Sequence, residues 1–104
     1  MDNRDRYLKR VFGISEEEYL TLAQEQGNTC AICHKSSGTR RLSVDHEHGT
    51  KKVRGLLCGR CNVGLGMFMD NTMILANAID YLFTHRRRYK RVYKNRVLYR
   101  KETA

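Results

Sequence analysis

Four cysteines fall into two pairs of the form Cys-x-x-Cys, Cys30 with Cys33 and Cys58 with Cys61, and none is left over. Zinc takes ligands at the corners of a tetrahedron, and a tight turn carrying such a pair supplies two of them. Paired knuckles are a zinc signature, although the gap between these two is slightly longer than the usual one. The competing reading is a pair of redox or disulfide couples. A second cluster lies between and just after the knuckles: Asp45, His46 and His48, then Asn62 directly behind Cys61. A histidine can take a proton from water near neutral pH. A carboxylate beside it can hold a hard cation such as Mg²⁺ or Mn²⁺, which also binds phosphate oxygens. Asn62 adds a neutral amide oxygen, and its place next to Cys61 means that the knuckle would fix it. One such cation held by Asp45 and Asn62, with a water polarised by His46, is enough to hydrolyse a phosphodiester.

The elements that must position these residues are short. Asp5 to Phe12 carries Tyr7, Leu8, Val11 and Phe12 in a helical pattern that Gly13 can end. Ser15 and Glu18 match a capping box, and Tyr19, Leu22 and Ala23 give the following helix an apolar stripe up to Gly27. Leu42 to Asp45 and Val53 to Leu57 read as strands around a polar loop, hence an antiparallel hairpin. Asn62 opens a helical pattern through Leu65, Phe68 and Met69, with Gly64 and Gly66 allowing close packing. Knuckle, hairpin, knuckle and helix make a ββα unit closed by zinc. Thr72 to Phe83 predicts a helix, and Tyr89, Val92, Tyr93 and Val97 continue at helical spacing. With no proline in the chain, a helix or helix pair is expected to near Arg100.

The expected class is therefore α+β, a small zinc-stapled core flanked by helices. A chain of 104 residues reads as one domain. Within it, 1–28 form N-terminal helices, 30–70 the zinc-bound core and 72–101 a helical, basic C-terminal segment. A core this small gains much of its stability from a structural metal. The charged N-terminus and the lack of a long apolar run predict neither signal peptide nor membrane span, hence a cytoplasmic protein with reduced thiols.

Charge is placed unevenly. Met1 to Thr84 hold 11 Lys and Arg against 10 Asp and Glu, whereas His85 to Ala104 hold 9 against Glu102 alone. A run that dense, with Arg86, Arg87 and Arg88 at its head, suits a polyanion such as nucleic acid. The competing reading is a solvated face or solubility tail. Arg41, Lys51, Lys52, Arg54 and Arg60 surround the acid-and-histidine cluster and are further candidates for DNA contact.

Val44 to His48, Val53 to Cys58, and Cys61 with Asn62 resemble the phage recombination endonuclease VII family, a branch of the HNH, or ββα-metal, nucleases. The resemblance covers about Ser15 to Leu82. It implies structural zinc on Cys30, Cys33, Cys58 and Cys61, and a catalytic divalent metal on Asp45 and Asn62. It makes His46 the general base and His48 a further histidine near the scissile phosphate. No residue matches the middle asparagine of the HNH name, and a backbone carbonyl is the simplest group to orient His46. The resemblance implies DNA as substrate, with branched DNA, nicked duplex and ordinary duplex all left open, and a phage gene acting in the host cytoplasm. Junction-resolving members carry a longer helical C-terminal part that builds a dimer. Here the segment is shorter, which leaves open both junction resolution and a homodimer through the C-terminal helices. Two other classes compete: a non-catalytic zinc module that binds nucleic acid, which gives Asp45, His46 and Asn62 no work, and a redox protein, which leaves the basic run unexplained.

Overall fold

The computed structural model describes residues 3–85 with their side chains, and the backbone of 90–93 and 96–99. The chain divides into two compact units, residues 1–66 and 67–104.

The first unit opens with α1 (Asn3–Phe12) and α2 (Glu16–Glu25). Gly13 ends α1 at φ 73°, a left-handed conformation that costs glycine little. The capping box forms: the Glu18 N–H donates to Ser15 Oγ, and the Ser15 N–H donates to Glu18 Oε1, both at 3.0 Å. Asp5 on α1 accepts from the Glu16 N–H at 2.8 Å, so one carboxylate fixes the entry to α2. That N–H also holds the Asp5 carboxyl below the usual carboxylate range, helped by Lys9.

Strands β1 (Ser43–His46) and β2 (Val53–Leu57) pair antiparallel. Helix α3 (Gly59–Met67) follows directly and completes the ββα unit. Its glycines do not serve close packing, because a Cβ at Gly64 or Gly66 would meet open space. The core gathers Leu8, Tyr19, Ala23, Cys30, Leu42, Val44, Leu56 and Leu57. Leu56 and Cys30 are fully buried, so the first knuckle is part of the core. The buried Tyr19 hydroxyl donates to the Leu42 carbonyl at 2.6 Å, which satisfies its polar end.

Strand β2 has a second partner that is not a strand. The Gln26 side-chain amide accepts from the Leu56 N–H and donates to the Leu56 carbonyl, both at 2.9 Å. It also donates to the Thr29 carbonyl at 2.9 Å. A Cβ at Gly55 would lie 3.2 Å from Gln26 Oε1, so the glycine leaves room for this approach. Removing the amide strands a fully buried backbone N–H, which costs about 1–3 kcal/mol. Gln26→Ala is therefore expected to lower the urea midpoint of the metal-loaded protein by that equivalent. A midpoint unchanged within error would show that the amide is dispensable.

The second unit contains α4 (Thr72–Thr84), capped by Asn71, whose side chain accepts from the Ile74 N–H at 3.0 Å. Beyond α4 the expected helix does not form. Lys90–Tyr93 (β3) and Arg96–Tyr99 (β4) are antiparallel strands, with Val92 opposite Val97. The reason is the residues themselves: Val92, Tyr93, Val97 and Tyr99 are β-branched or aromatic, which favours strands. Their spacing fits period two as well as it fits a helix.

Candidate functional site

The four knuckle sulfurs lie within 4.8 Å of one another, and those of Cys33 and Cys58 are 3.8 Å apart. A tetrahedron with metal–sulfur bonds of ~2.3 Å has edges of about 3.8 Å, so this arrangement can hold a zinc ion. No disulfide joins the cysteines. The turns carry the geometry. In the first knuckle the His34 N–H donates to the Cys30 carbonyl at 2.9 Å, and the Ile32 N–H points at Cys30 Sγ at 3.4 Å. In the second, the Cys61 N–H points at Cys58 Sγ at 3.4 Å. The Ala31 N–H donates to the Leu56 carbonyl at 3.1 Å and ties the first knuckle to β2.

The thiols differ in acidity. Burial disfavours the Cys30 thiolate, but backbone N–H groups around the sulfur outweigh it and bring the thiol down to about 6. Burial, followed by the neighbouring thiols, pushes Cys61 up to about 12. Four thiolates packed this closely need a cation between them, and a cation that binds there displaces the remaining protons.

The acid-and-histidine cluster forms where β1 leaves its partner. Asp45 lies opposite Gly55, but His46 lies opposite Val53, so the ladder slips by one residue and Arg54 is the extra one. Such a bulge breaks the alternation of side chains and raises the local twist. The Arg54 guanidinium takes the Asp45 carboxylate in two hydrogen bonds, Nε to Oδ2 at 2.7 Å and Nη2 to Oδ1 at 3.0 Å. A carboxylate has about four lone-pair positions, so this grip orients Asp45 and still leaves room for a cation. The His46 ring centroid lies 5.7 Å from that of Phe12 and 5.8 Å from that of His48. These two rings are the aromatic neighbours of His46 among the described residues. His48 stands on a loop built by its own bonds: the Glu47 N–H donates to the Lys52 carbonyl at 2.8 Å, and the Lys51 N–H to the Glu47 carbonyl at 2.7 Å.

Asn62 begins inside α3, where its N–H donates to the Cys58 carbonyl at 3.0 Å. It lines a depression with Tyr7, Phe12 and Val44. Phe12 thus lines the same depression as Asn62 and lies beside the His46 ring. Sequence reasoning assigned α1 to the scaffold and missed this role, because nothing near Phe12 in the chain signals a contact with residue 46.

The candidate cations divide. Lys51, Lys52 and Arg60 are exposed. Arg41 is engaged: both its terminal nitrogens donate to the Glu16 carboxylate at 3.0 Å, and its guanidinium carbon lies 3.9 Å from the Tyr19 ring centroid. The Glu16 bonds raise the Arg41 pKa further. Arg86, Arg87 and Arg88 lie outside the described residues.

Residues 5–84 match the recombination endonuclease VII family. The chain belongs to that family. Curated relatives are the Gene 59 proteins of Mycobacterium phages D29 and L5, 51% and 45% identical over 74 residues. Those alignments take in 69% of this chain and 45% of each relative, so the chain spans about half the length of the relatives it matches. Among solved structures it resembles the ββα-Me type II restriction endonuclease Hpy99I, with TM-score 0.52 and 33% identity. That likeness covers 78% of this chain and 48% of the other. As an endonuclease VII family member, the chain keeps its knuckles, hairpin and α3 inside the matched region. Among its described residues no helix is long and apolar enough to cross a membrane.

Proposed function

We propose that this chain is the core of a metal-dependent DNA endonuclease of the HNH, or ββα-metal, type. One observation carries the reading most directly. Asp45 and His46 stand at the bulge that ends β1, and Asn62 is anchored by the knuckle that begins α3. Zinc suits the four sulfurs, which are soft and lie within 4.8 Å of one another. Asp45 and Asn62 offer hard oxygen and suit Mg²⁺ or Mn²⁺. That cation, when bound, supplies positive charge against the scissile phosphate and the leaving oxygen. His46 accepts the proton of the attacking water as the water oxygen bonds to phosphorus and the bond to the leaving sugar oxygen breaks. His48 faces the same phosphate, while Lys51, Lys52 and Arg60 meet neighbouring ones and Arg54 holds Asp45 in place. The phage relatives support a phage setting, and the host cytoplasm is the compartment this reading assigns. Met73, Tyr81 and Leu82 of α4 are largely exposed, and a homodimer through the C-terminal segment would cover part of this apolar surface.

Incubation with supercoiled plasmid tests the reading. Nicking or linearisation that needs Mg²⁺ and stops with EDTA supports it; DNA that is shifted but never cut selects a zinc module that only binds. The ligand assignment has its own test. Asp45→Ala and Asn62→Ala are each expected to weaken the Mg²⁺ response tenfold or more, since even outer-shell partners of metal ligands are worth about ten- to a hundredfold. Both variants should keep their zinc, because the two metals use different donors. Calorimetric titration checks this, and an unchanged Mg²⁺ isotherm in either variant would remove that residue from the site.

A further inference from the structure

A second feature lies beside the knuckles, on the loop that joins the first knuckle to β1. Lys35 and Arg40 on this loop, Arg4 on α1 and Arg60 on α3 line one open groove of about 730 Å³. No carboxylate lines it. None of these four cations has an ion-pair partner among the described residues, whereas Arg41, at the groove's edge, is neutralised by Glu16. Like charges converge on one concavity only at an electrostatic cost, which a polyanion would remove.

The loop is a built structure. Its start is pinned where the Cys30 N–H donates to the Lys35 carbonyl at 3.0 Å. Its end is pinned by Arg41 on Glu16 and Tyr19. Between these anchors Gly38 takes φ 72°, its N–H donates to Ser36 Oγ at 3.2 Å, and the Ser37 hydroxyl donates to the Arg40 carbonyl. Lys35 and Arg40 therefore stand on a fixed loop, which lowers the entropy lost on binding.

The groove also leads somewhere. It shares Arg4, Arg41 and Ser43 with the depression that holds Asn62 and Phe12. A strand whose scissile phosphate sat beside Asn62 would run its flanking phosphates past Arg4 into the groove. We propose that this groove, with Lys35, Arg40 and Arg60 reaching the phosphates, seats the sugar–phosphate backbone of DNA flanking the cleavage point. The proposal rests on the nuclease reading and adds to it a track for the substrate. Phosphate binding of this kind positions DNA and carries no sequence information.

A loaded zinc tetrathiolate would itself carry excess negative charge, and Cys33 and Cys58 border the groove. The same cations could therefore serve to offset the metal centre, and the experiment must separate the two roles. The probe is a labelled duplex, bound in EDTA so that no cleavage occurs, by wild type and by the triple variant Lys35→Gln, Arg40→Gln and Arg60→Gln. Zinc content and release to a chelating dye are followed alongside. The expected result is affinity about tenfold or more lower at low salt, and a log–log salt slope shallower by up to roughly three units, about 0.9 for each phosphate no longer neutralised. Zinc retention should match wild type. Arg60→Gln alone, which alters one exposed side chain, should flatten the slope by about one unit and guards against misfolding of the triple variant. Unchanged affinity and slope in a variant that keeps its zinc would overturn the groove while leaving the nuclease reading intact. Weakened binding that tracks zinc release in both variants would assign the cations to the metal centre and overturn it too. A wild-type protein that binds no duplex would overturn both readings.

Discussion

Cys58→Ser is expected to release zinc and unfold the first unit. Its sulfur lies 3.8 Å from that of Cys33 and also accepts the Cys61 N–H, so one substitution disturbs both knuckles. Structural zinc sites bind with roughly 10–16 kcal/mol, and that energy is folding energy. A domain of this size holds only about 5–15 kcal/mol of net stability. The metal term alone is large enough to decide whether the unit folds. Cys30 is fully buried and Cys58 and Cys61 pack against the core, so loss of the ion also removes the link that ties these sulfurs together there. Metal analysis of the purified variant, with far-UV circular dichroism over a temperature ramp, reads the result. A variant that melts cooperatively near the wild-type temperature without zinc would show that packing suffices and that the metal is an accessory.

How legible this was depended on distance along the chain. The knuckles announce themselves because each needs only a four-residue turn, and the capping box at Ser15 and Glu18 is equally local. The hairpin was legible from its two short apolar runs, and β2 has the expected bounds. The bulge was not, because Arg54 becomes an extra residue only through pairing with a strand eight residues back. Gln26 looks like an ordinary surface residue at a helix end. Its partner is residue 56, and no local pattern encodes that pairing. Arg41 carries the charge of a DNA-binding residue, yet Glu16 on another element engages it. The strands at 90–93 and 96–99 were misjudged for a different reason: valines and tyrosines closely spaced satisfy either period until a partner chooses between them.

His46→Ala is expected to abolish cleavage while sparing the fold, the zinc and DNA binding. A positioned base is worth about a hundredfold to ten-thousandfold in rate, so the loss should be a hundredfold or more. The fold should survive because His46 is half-buried at the end of β1 and lies outside the core cluster. Single-turnover cleavage under saturating Mg²⁺ measures the step, and gel shift in EDTA measures binding. The 5.8 Å between the two imidazole centroids raises a specific competitor, in which His48 takes the proton. His48→Ala and the double variant resolve it. If His46 is the base, the double variant falls little below His46→Ala; if His48 is, His46→Ala keeps most of its rate. A folded His46→Ala protein cutting at the wild-type rate would remove the residue from the chemistry.

A two-stranded sheet has two outer edges, and each could template a strand from another molecule, a common route to aggregation. Here the outer side of β2 is already taken at its most buried residue: the Gln26 amide occupies both backbone groups of Leu56, and Ala31 adds a second donor to its carbonyl. On the other side, just before β1, the Tyr19 hydroxyl occupies the carbonyl of Leu42. Side chains from one helix and the residue that follows it thus plug the backbone groups an intruding strand would need. The hairpin can stay short and still keep to itself, and its free end, where Asp45 and His46 stand, remains the part open to a large flexible ligand.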